Sequence, residues 1–329
     1  MSHHTTNNLL HTVLLLALPA SGKSEVRKYL ANLSGDECRN DFHMGPTAQL
    51  DDYPYVHIMR CIDDELAKRG KSRAFFHAAD RPFQDPRHWG TLIQLINEDY
   101  ADLQSHKTEN PATAANHLLD RIDRAAKKVG AEALGNIDRQ TRAAVADAIE
   151  PEARKMLKER NENNSQDLTG KTIVIEFARG GAHGSSMPLP EPFGYKYSLS
   201  QLSAQVLGKA SILYVWVTPE ESRRKNQERA DPNNPGSILH HGVPIEVMMN
   251  DYGVDDMDYL ENQASIKGTV EFQANGKKYN LPIGRFDNRV DKTSFIRNEK
   301  SQWKTEQVKA VHNGLKSALD VLANYKHGY

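Results

Sequence analysis

Three uninterrupted apolar runs dominate the hydrophobic pattern of the chain: Thr12–Leu16, 171–177 and 211–217. In each run the apolar residues follow one another instead of alternating with polar ones, which is typical of strands buried on both faces of a parallel sheet. Segments with a helical period of apolar residues lie between the runs. The pattern predicts an α/β fold with a mostly parallel sheet that is flanked by helices.

Weaker signals predict the elements between these runs. A second strand is a candidate at 40–45, and a short strand is expected at 73–77. Pro54 disfavours helical dihedrals at the residue before it, so the stretch around it is predicted not to be helix interior. The Asn275–Gly276 pair, between two β-like segments, predicts a hairpin.

Residues 108–164 differ from the rest in composition. No Phe, Tyr or Trp occurs between Ala101 and Glu176, and the segment is rich in Ala and charged residues. This composition predicts two to four mostly solvated helices, interrupted near Gly130, Gly135 and Pro151. Because aromatic residues carry much of core burial, we expect a peripheral helical insertion in a core made of 1–107 and 165–329.

The composition narrows the function classes. The chain has 329 residues and a formal net charge of −1, which does not favour nucleic acid or an anionic membrane as partner. The apolar stretch 9–18 is too short to span a bilayer. The chain's two cysteines, Cys38 and Cys61, have no metal-like spacing, and we expect a reduced, cytoplasmic protein. The oligomeric state is left open.

A phosphate-binding loop is predicted at 17–24, directly after the first apolar run. The Walker A pattern is Gly, four residues, then Gly-Lys-Ser/Thr, and here Ala17 stands at the first Gly. Backbone N–H groups at the start of the following helix favour anions. Lys23 would reach the β and γ phosphates of ATP, and the Ser24 hydroxyl would bind Mg²⁺. The predicted nucleotide-binding residues here are Pro19, Ala20, Ser21, Gly22, Lys23 and Ser24.

Acidic residues stand in two settings. Glu176 ends a predicted buried strand, at the edge of a parallel sheet where ligands bind, whereas Asp51 and Asp52 follow the first helix in a loop that contains Pro54. Asp51 or Asp52 is the expected base for an acceptor hydroxyl. Glu176 is expected to hold Mg²⁺ or to bind acceptor hydroxyls, with Arg179 as an anion clamp. A further pair, Asp287 and Asn288, either borders the adenine site or only ends its strand.

A helix rich in arginine is predicted after the third apolar run. Its residues Arg223, Arg224 and Arg229 cannot all face one way, so one or two of them are expected to reach the phosphates. The stretch 231–241, which is rich in Asn, Asp, Pro and Gly, predicts a mobile loop beyond this helix.

Together these pieces resemble the P-loop kinases of the nucleoside and nucleotide monophosphate kinase type. The resemblance rests on 17–24, Asp51 with Asp52, 176–179, the arginine-rich helix and 286–288. It implies a P-loop NTPase fold, ATP and Mg²⁺, a mobile lid, and transfer of the γ-phosphoryl group to a small-molecule acceptor. The chain departs from the pattern at Ala17, in the insertion and over 231–278, so no particular acceptor is implied.

Two other functions remain open at this point. One is a nucleotide-dependent switch or ATPase that engages a protein partner through residues 108–164, although the chain lacks an Asn/Thr-Lys-x-Asp guanine signature. The other is a kinase acting on a nucleic-acid end, which the neutral net charge disfavours. Measuring ADP release from Mg-ATP with a panel of small-molecule acceptors would distinguish these two functions from a small-molecule kinase.

Overall fold

The structure, a computed structural model, describes residues 9–229 and 242–325, so the loop predicted at 231–241 lies outside the described residues. Its centre is one six-stranded sheet in the order β2-β3-β1-β4-β6-β5. The strands are β1 (Thr12–Leu16), β2 (Thr47–Asp51), β3 (Thr172–Phe177), β4 (Ala210–Trp216), β5 (Thr269–Ala274) and β6 (Lys277–Asp287). All neighbours are parallel except β5 and β6. The prediction of an α/β fold with a mostly parallel sheet is confirmed.

The three apolar runs form the middle of the sheet. β1 lies between β3 and β4, and its five residues are all buried. The register places Leu16 beside Phe177 on one side and Tyr214 on the other, so β1 and β3 end at the same level and β4 continues for two more residues. The loops that follow them therefore meet at one edge of the sheet.

Twelve helices pack around this sheet in the described residues. They are α1 (Lys23–Ala31), α2 (Gly35–Phe42), α3 (Tyr53–Lys68), α4 (His88–Gln104), α5 (Ala114–Lys128), α6 (Arg139–Asn164), α7 (Gly194–Ser200), α8 (Ala204–Leu207), α9 (Pro219–Arg229), α10 (Ile245–Asn250), α11 (Met257–Gln263) and α12 (Thr305–Asn324). Two 3₁₀ turns, Ser294–Arg297 and Lys300–Gln302, precede α12. None of the described helices is long and apolar enough to cross a membrane.

Both faces of the sheet are covered by helices. Alternate residues of β1 point to opposite faces: Leu15 packs with Val26 of α1 and Leu315 of α12, and Leu14 packs with Ile96 of α4 and Leu199 of α7. The central strands are apolar throughout because each face meets a helix layer.

Two local predictions are wrong. Residues 40–45 hold the end of α2, which begins at a Ser34 capping box, and the second strand is β2. The strand expected at 73–77 is only an isolated bridge, because the Asp63 carboxylate binds backbone N–H groups there. Pro54, predicted to lie outside a helix interior, is in the first turn of α3, where its missing N–H group costs nothing.

The hairpin predicted at the Asn275–Gly276 pair is confirmed. It joins β5 to β6, and both residues have a positive φ, 49° at Asn275 and 71° at Gly276. Two consecutive positive φ values suit a tight turn whose twist matches that of the flanking strands.

Residues 108–164 form two helices, α5 and α6, and Pro151 lies inside α6 instead of interrupting it. Their apolar residues share a core with α3 and α4, so the expectation of a peripheral appendage with little to bury is wrong. α5 and α6 supply aliphatic side chains such as Leu119 and Ile149 to this core, and the aromatic residues come from α3, α4 and the segment 75–83. A buried ionic contact reinforces it, since Arg121 Nη2 lies 2.7 Å from Asp99 Oδ1.

Candidate functional site

The backbone conformation of the loop between β1 and α1 requires a glycine at position 22. Gly22 has φ 105° and precedes α1 directly. A Cβ atom at this position would lie 2.5 Å from Thr293 Oγ1 and 2.9 Å from Asn288 Nδ2. Only glycine suits both the dihedral and the space.

Other elements hold the carbonyl groups of this loop. Tyr195 OH donates to Ala17 O at 2.9 Å, Ser222 Oγ donates to Pro19 O at 2.7 Å, and Asn288 Nδ2 donates to the carbonyl oxygen of Ser21 at 2.7 Å. Side chains from three parts of the chain thus fix the loop. The first N–H groups of α1 have no partner within the helix, and such groups are ready donors to an anion.

Lys23 is the first residue of α1 and is almost fully buried, with 8% of its surface exposed. Its Nζ lies 3.5 Å from Ala17 O, at the end of β1. Burial lowers the pKa of Lys23, and the nearby carboxylates of Glu176, Asp51 and Asp52 oppose this shift. The ammonium group therefore lies between the backbone of the β1–α1 loop and the predicted acids.

The predicted acids lie together. Asp51 and Glu176 are register partners at the ends of β2 and β3. Burial, with the neighbouring Glu176 carboxylate, raises the pKa of Asp51 to about 7. Asp52 is the next residue along the chain and lines the same cavity. The cavity therefore has three carboxyl groups within one short stretch of sheet edge.

Arg179 has a different position from the one expected. It is 2% exposed, and its Nη1 donates to Asp52 Oδ2 at 2.7 Å. Its Nε donates to Ser198 Oγ at 2.9 Å and its Nη2 to Trp89 O at 3.3 Å. All three nitrogens are thus occupied by the protein, so Arg179 orients Asp52 and is not placed as an anion clamp.

The structure separates the predicted lid arginines. Arg223 and Arg224 pair with glutamates of α9 and do not line the cavity. Arg229 does line it, and burial lowers its pKa while Glu25 opposes the shift. At the end of β6, Asp287 pairs with Arg289 outside the cavity, whereas Asn288 is buried and donates to the β1–α1 loop at Ser21 O.

These groups surround a cavity of about 200 Å³. One end is formed by Pro19, Ala20, Ser21, Gly22, Lys23 and Ser24, followed by the three acids. The other end is apolar and aromatic, and its residues include Phe76, Phe83, Trp89, Val247 and Tyr252. The cavity thus combines the backbone of the β1–α1 loop, three carboxyl groups near Lys23 and an apolar wall.

Sequence reasoning missed several residues of the site. Arg27 lies one helical turn beyond Lys23 on α1, and this spacing could have revealed it. Arg60, Trp89, Asp251 and Tyr252 come from α3, α4 and the segment after α10, and no local pattern links them to the phosphate loop.

A divalent cation fits the donor groups that are present. No cluster of three or more His, Cys, Asp or Glu suited to a metal exists within 9–229 and 242–325. Mg²⁺ that is bound together with nucleotide phosphates needs only one or two protein oxygens. The hydroxyl of Ser24 and the carboxylate of Glu176 line the same cavity and are such oxygens.

Comparisons with protein-family models, with curated proteins and with solved structures found no match.

Proposed function

We propose that this chain is a P-loop kinase that transfers the γ-phosphoryl group of Mg-ATP to a small-molecule acceptor. One observation carries the proposal: the loop that precedes buried Lys23 and the carboxylates of Asp51, Asp52 and Glu176 line one cavity. Phosphoryl transfer needs this combination, because catalysis consists mainly of positioning and of neutralising negative charge.

The loop end of the cavity is the proposed phosphate site. The N–H groups at the start of α1 and the Lys23 ammonium would bind the β and γ phosphates. Ser24 and Glu176 would hold Mg²⁺, which neutralises charge on the phosphates when it is bound. Arg229, on the same cavity wall, would add positive charge near the transferred group.

Asp52 is the proposed base. Its Oδ2 is fixed by Arg179, and its position lies between the phosphate loop and the apolar end of the cavity. The acceptor hydroxyl gives its proton to the Asp52 carboxylate as its oxygen bonds to the γ phosphorus. The bond from this phosphorus to the bridging oxygen breaks, and ADP leaves.

The test is Lys23→Ala. We expect the variant to lose most ATP binding, measured by calorimetry with Mg-ATP, and to keep its fold by circular dichroism. Lys28→Ala is the matched control, because Lys28 lies on the same helix and donates to Arg297 O outside the cavity. Unchanged ATP binding in Lys23→Ala would reject the proposal.

The alternative of a switch that engages a partner through residues 108–164 has no observation in its favour. The large apolar side chains that are exposed in the described residues, such as Tyr53, Ile245 and Val290, all lie outside this segment. ATP turnover that needs no acceptor would favour the alternative. The free thiols of Cys38 and Cys61 suit a reducing cytoplasm, which we propose as the location.

A further inference from the structure

The apolar end of the cavity has a continuous wall of four aromatic rings, Phe76, Phe83, Trp89 and Tyr252. The Phe76 and Phe83 rings are stacked with centroids 4.4 Å apart. Trp89 meets Phe83 edge-on at 4.9 Å and Tyr252 at 5.6 Å. Flat rings of this kind favour a planar partner, which gains contact area without losing many rotamers.

A buried carboxyl group without a partner lies at the same end. Asp251 is 4% exposed, and its Oδ2 accepts no hydrogen bond from the described part of the chain. A buried polar atom left unpaired costs free energy, so such an atom in a cavity calls for an explanation. Burial raises the pKa of Asp251 to about 7, and the nearby Arg60 opposes this shift without cancelling it.

The backbone holds Asp251 in place. Gly181 N donates to Val254 O at 2.8 Å, and Gly253 N donates to Gly181 O at 2.9 Å. A Cβ atom at Gly180 would lie 2.9 Å from Asp251 O, so the two chain segments touch through their backbones. The carboxyl group is therefore presented by a fixed frame that joins it to the end of β3.

Positive charge is scarce at this end. Arg60 is the one cation among the described residues of the aromatic end, where it lies 4.0 Å above the Phe76 ring and donates to Ala79 O. Arg179 uses its nitrogens on Asp52, Ser198 and Trp89. A phosphate group on the acceptor would meet the Asp251 carboxyl group and the aromatic wall here, with Arg60 as its one cationic neighbour, which already faces Asp251 and donates to Ala79 O. A buried charge that is poorly paired is expensive.

We infer that the acceptor is a planar, unphosphorylated molecule that carries a hydroxyl group and an N–H donor, with Asp251 accepting the hydrogen bond from that donor. The ring lies against the aromatic wall, and the hydroxyl points towards Asp52. This inference rests on the proposed function, because it names the acceptor for the same cavity.

The test uses matched acceptors with Mg-ATP and the full chain, and measures ADP release. Adenosine is compared with purine riboside, and 3-aminobenzyl alcohol with benzyl alcohol, so that each pair differs by one amino group. AMP and glycerol represent a phosphorylated and a non-planar acceptor. We expect kcat/KM for the amino compound to exceed that of its partner by about tenfold or more in at least one pair, since hydrogen bonds to charged groups discriminate at this level.

Variants at position 251 assign the preference to its side chain. Asp251→Ala should bring the ratio within a pair close to one, and the isosteric Asp251→Asn should reduce it in part. Asp258→Asn is the matched control, because Asp258 pairs with Arg285 outside the cavity, and it should leave the ratio unchanged. Thermal melting checks that each variant is folded.

The inference is overturned by any of three results: AMP or glycerol preferred to the planar amino compounds, a ratio that Asp251→Ala leaves intact, or no turnover of any planar amino compound. In each case ATP binding that depends on Lys23 would show that the phosphate site stands and that only the acceptor was misjudged. ATP binding that is insensitive to Lys23→Ala would mean that the proposed function itself fails.

Discussion

Arg27 Nη1 donates a hydrogen bond of 2.7 Å to Glu176 Oε2, and the same nitrogen lies 3.4 Å from Asp51 Oδ2. Asp51 and Glu176 are register partners on adjacent strands, so their carboxylates would repel each other without a cation between them. α1 begins at Lys23, directly after the β1–α1 loop, and supplies this cation one turn later. The helix that is proposed to bind phosphate at its first residues thus also supplies the cation that Asp51 and Glu176 share.

Arg27→Met should change the pH dependence of turnover. Arg27 lowers the pKa of Asp51, so its removal raises that pKa further above its usual range. If the ionised carboxylates are needed, the acidic limb of the pH–rate profile moves to higher pH, and each unit of movement costs about tenfold in rate below the limb. Arg27→Lys keeps the charge and should move the limb less. A profile that Arg27→Met leaves in place would show that this cation does not control the acids.

Asp52→Asn should lower kcat by roughly 10²–10⁴-fold, the usual contribution of a general base. ATP binding should change little, because the Asp52 carboxyl group is hydrogen-bonded to Arg179 and lies near Tyr252 of the aromatic wall. Single-turnover kinetics and calorimetry separate the two effects. Asp51→Asn is the informative comparison: if it removes turnover and Asp52→Asn does not, the base is Asp51.

Leu119→Ala should destabilise the whole chain by about 2–5 kcal/mol, the cost of a large-to-small change in a core. Leu119 of α5 is fully buried against residues of α3 and α4. Urea unfolding gives the free energy of unfolding. Val321→Ala, at a side chain of α12 that is 51% exposed, should change it by less than about 0.5 kcal/mol. An equal effect of both changes would return residues 108–164 to the role of an appendage.

Uninterrupted apolar runs made the middle of the sheet predictable, because a strand buried on both faces needs no alternation. β2 escaped prediction since it lies at the sheet edge and alternates between buried and half-buried residues over only five positions. Pro54 excludes a helix interior but not the first turn of a helix, so the pattern around it does not locate the beginning of α3 at Tyr53.

The residues of the candidate site likewise fall into some that the sequence could predict and others that it could not. The meeting of Glu176 with the β1–α1 loop was predictable, because the ends of parallel strands meet at one edge. Asp51 and Asp52 join them because β2, which the sequence did not reveal, ends at Asp51. The pairing of Arg179 with Asp52 joins residues 127 positions apart, and the sequence carries no sign of it. Asp251 lies in a segment that is held by backbone hydrogen bonds to Gly181, which depend on the complete fold.

Asp251→Asn should stabilise the chain at high pH. Burial raises the pKa of Asp251 to about 7 in the folded chain, from an ordinary value of 3.8. Between about pH 4 and pH 7 the folded chain therefore keeps a proton that the unfolded chain has lost. The free energy of unfolding falls as pH rises through this window, because the unfolded state binds fewer protons.

The Asp251→Asn variant lacks this ionisation. Its free energy of unfolding should therefore exceed that of the native chain by almost nothing at pH 4 and by up to about 4 kcal/mol at pH 8. Urea unfolding at both pH values measures it. The slope with pH should not vanish, because burial also raises the pKa of Asp51 to about 7 and that of Asp255 to about 6. Asp258→Asn, at an exposed residue of the same region, serves as the control. A gain that is equal at pH 4 and pH 8 would mean that Asp251 is ionised in the folded chain, and then its carboxylate must have a partner within the protein.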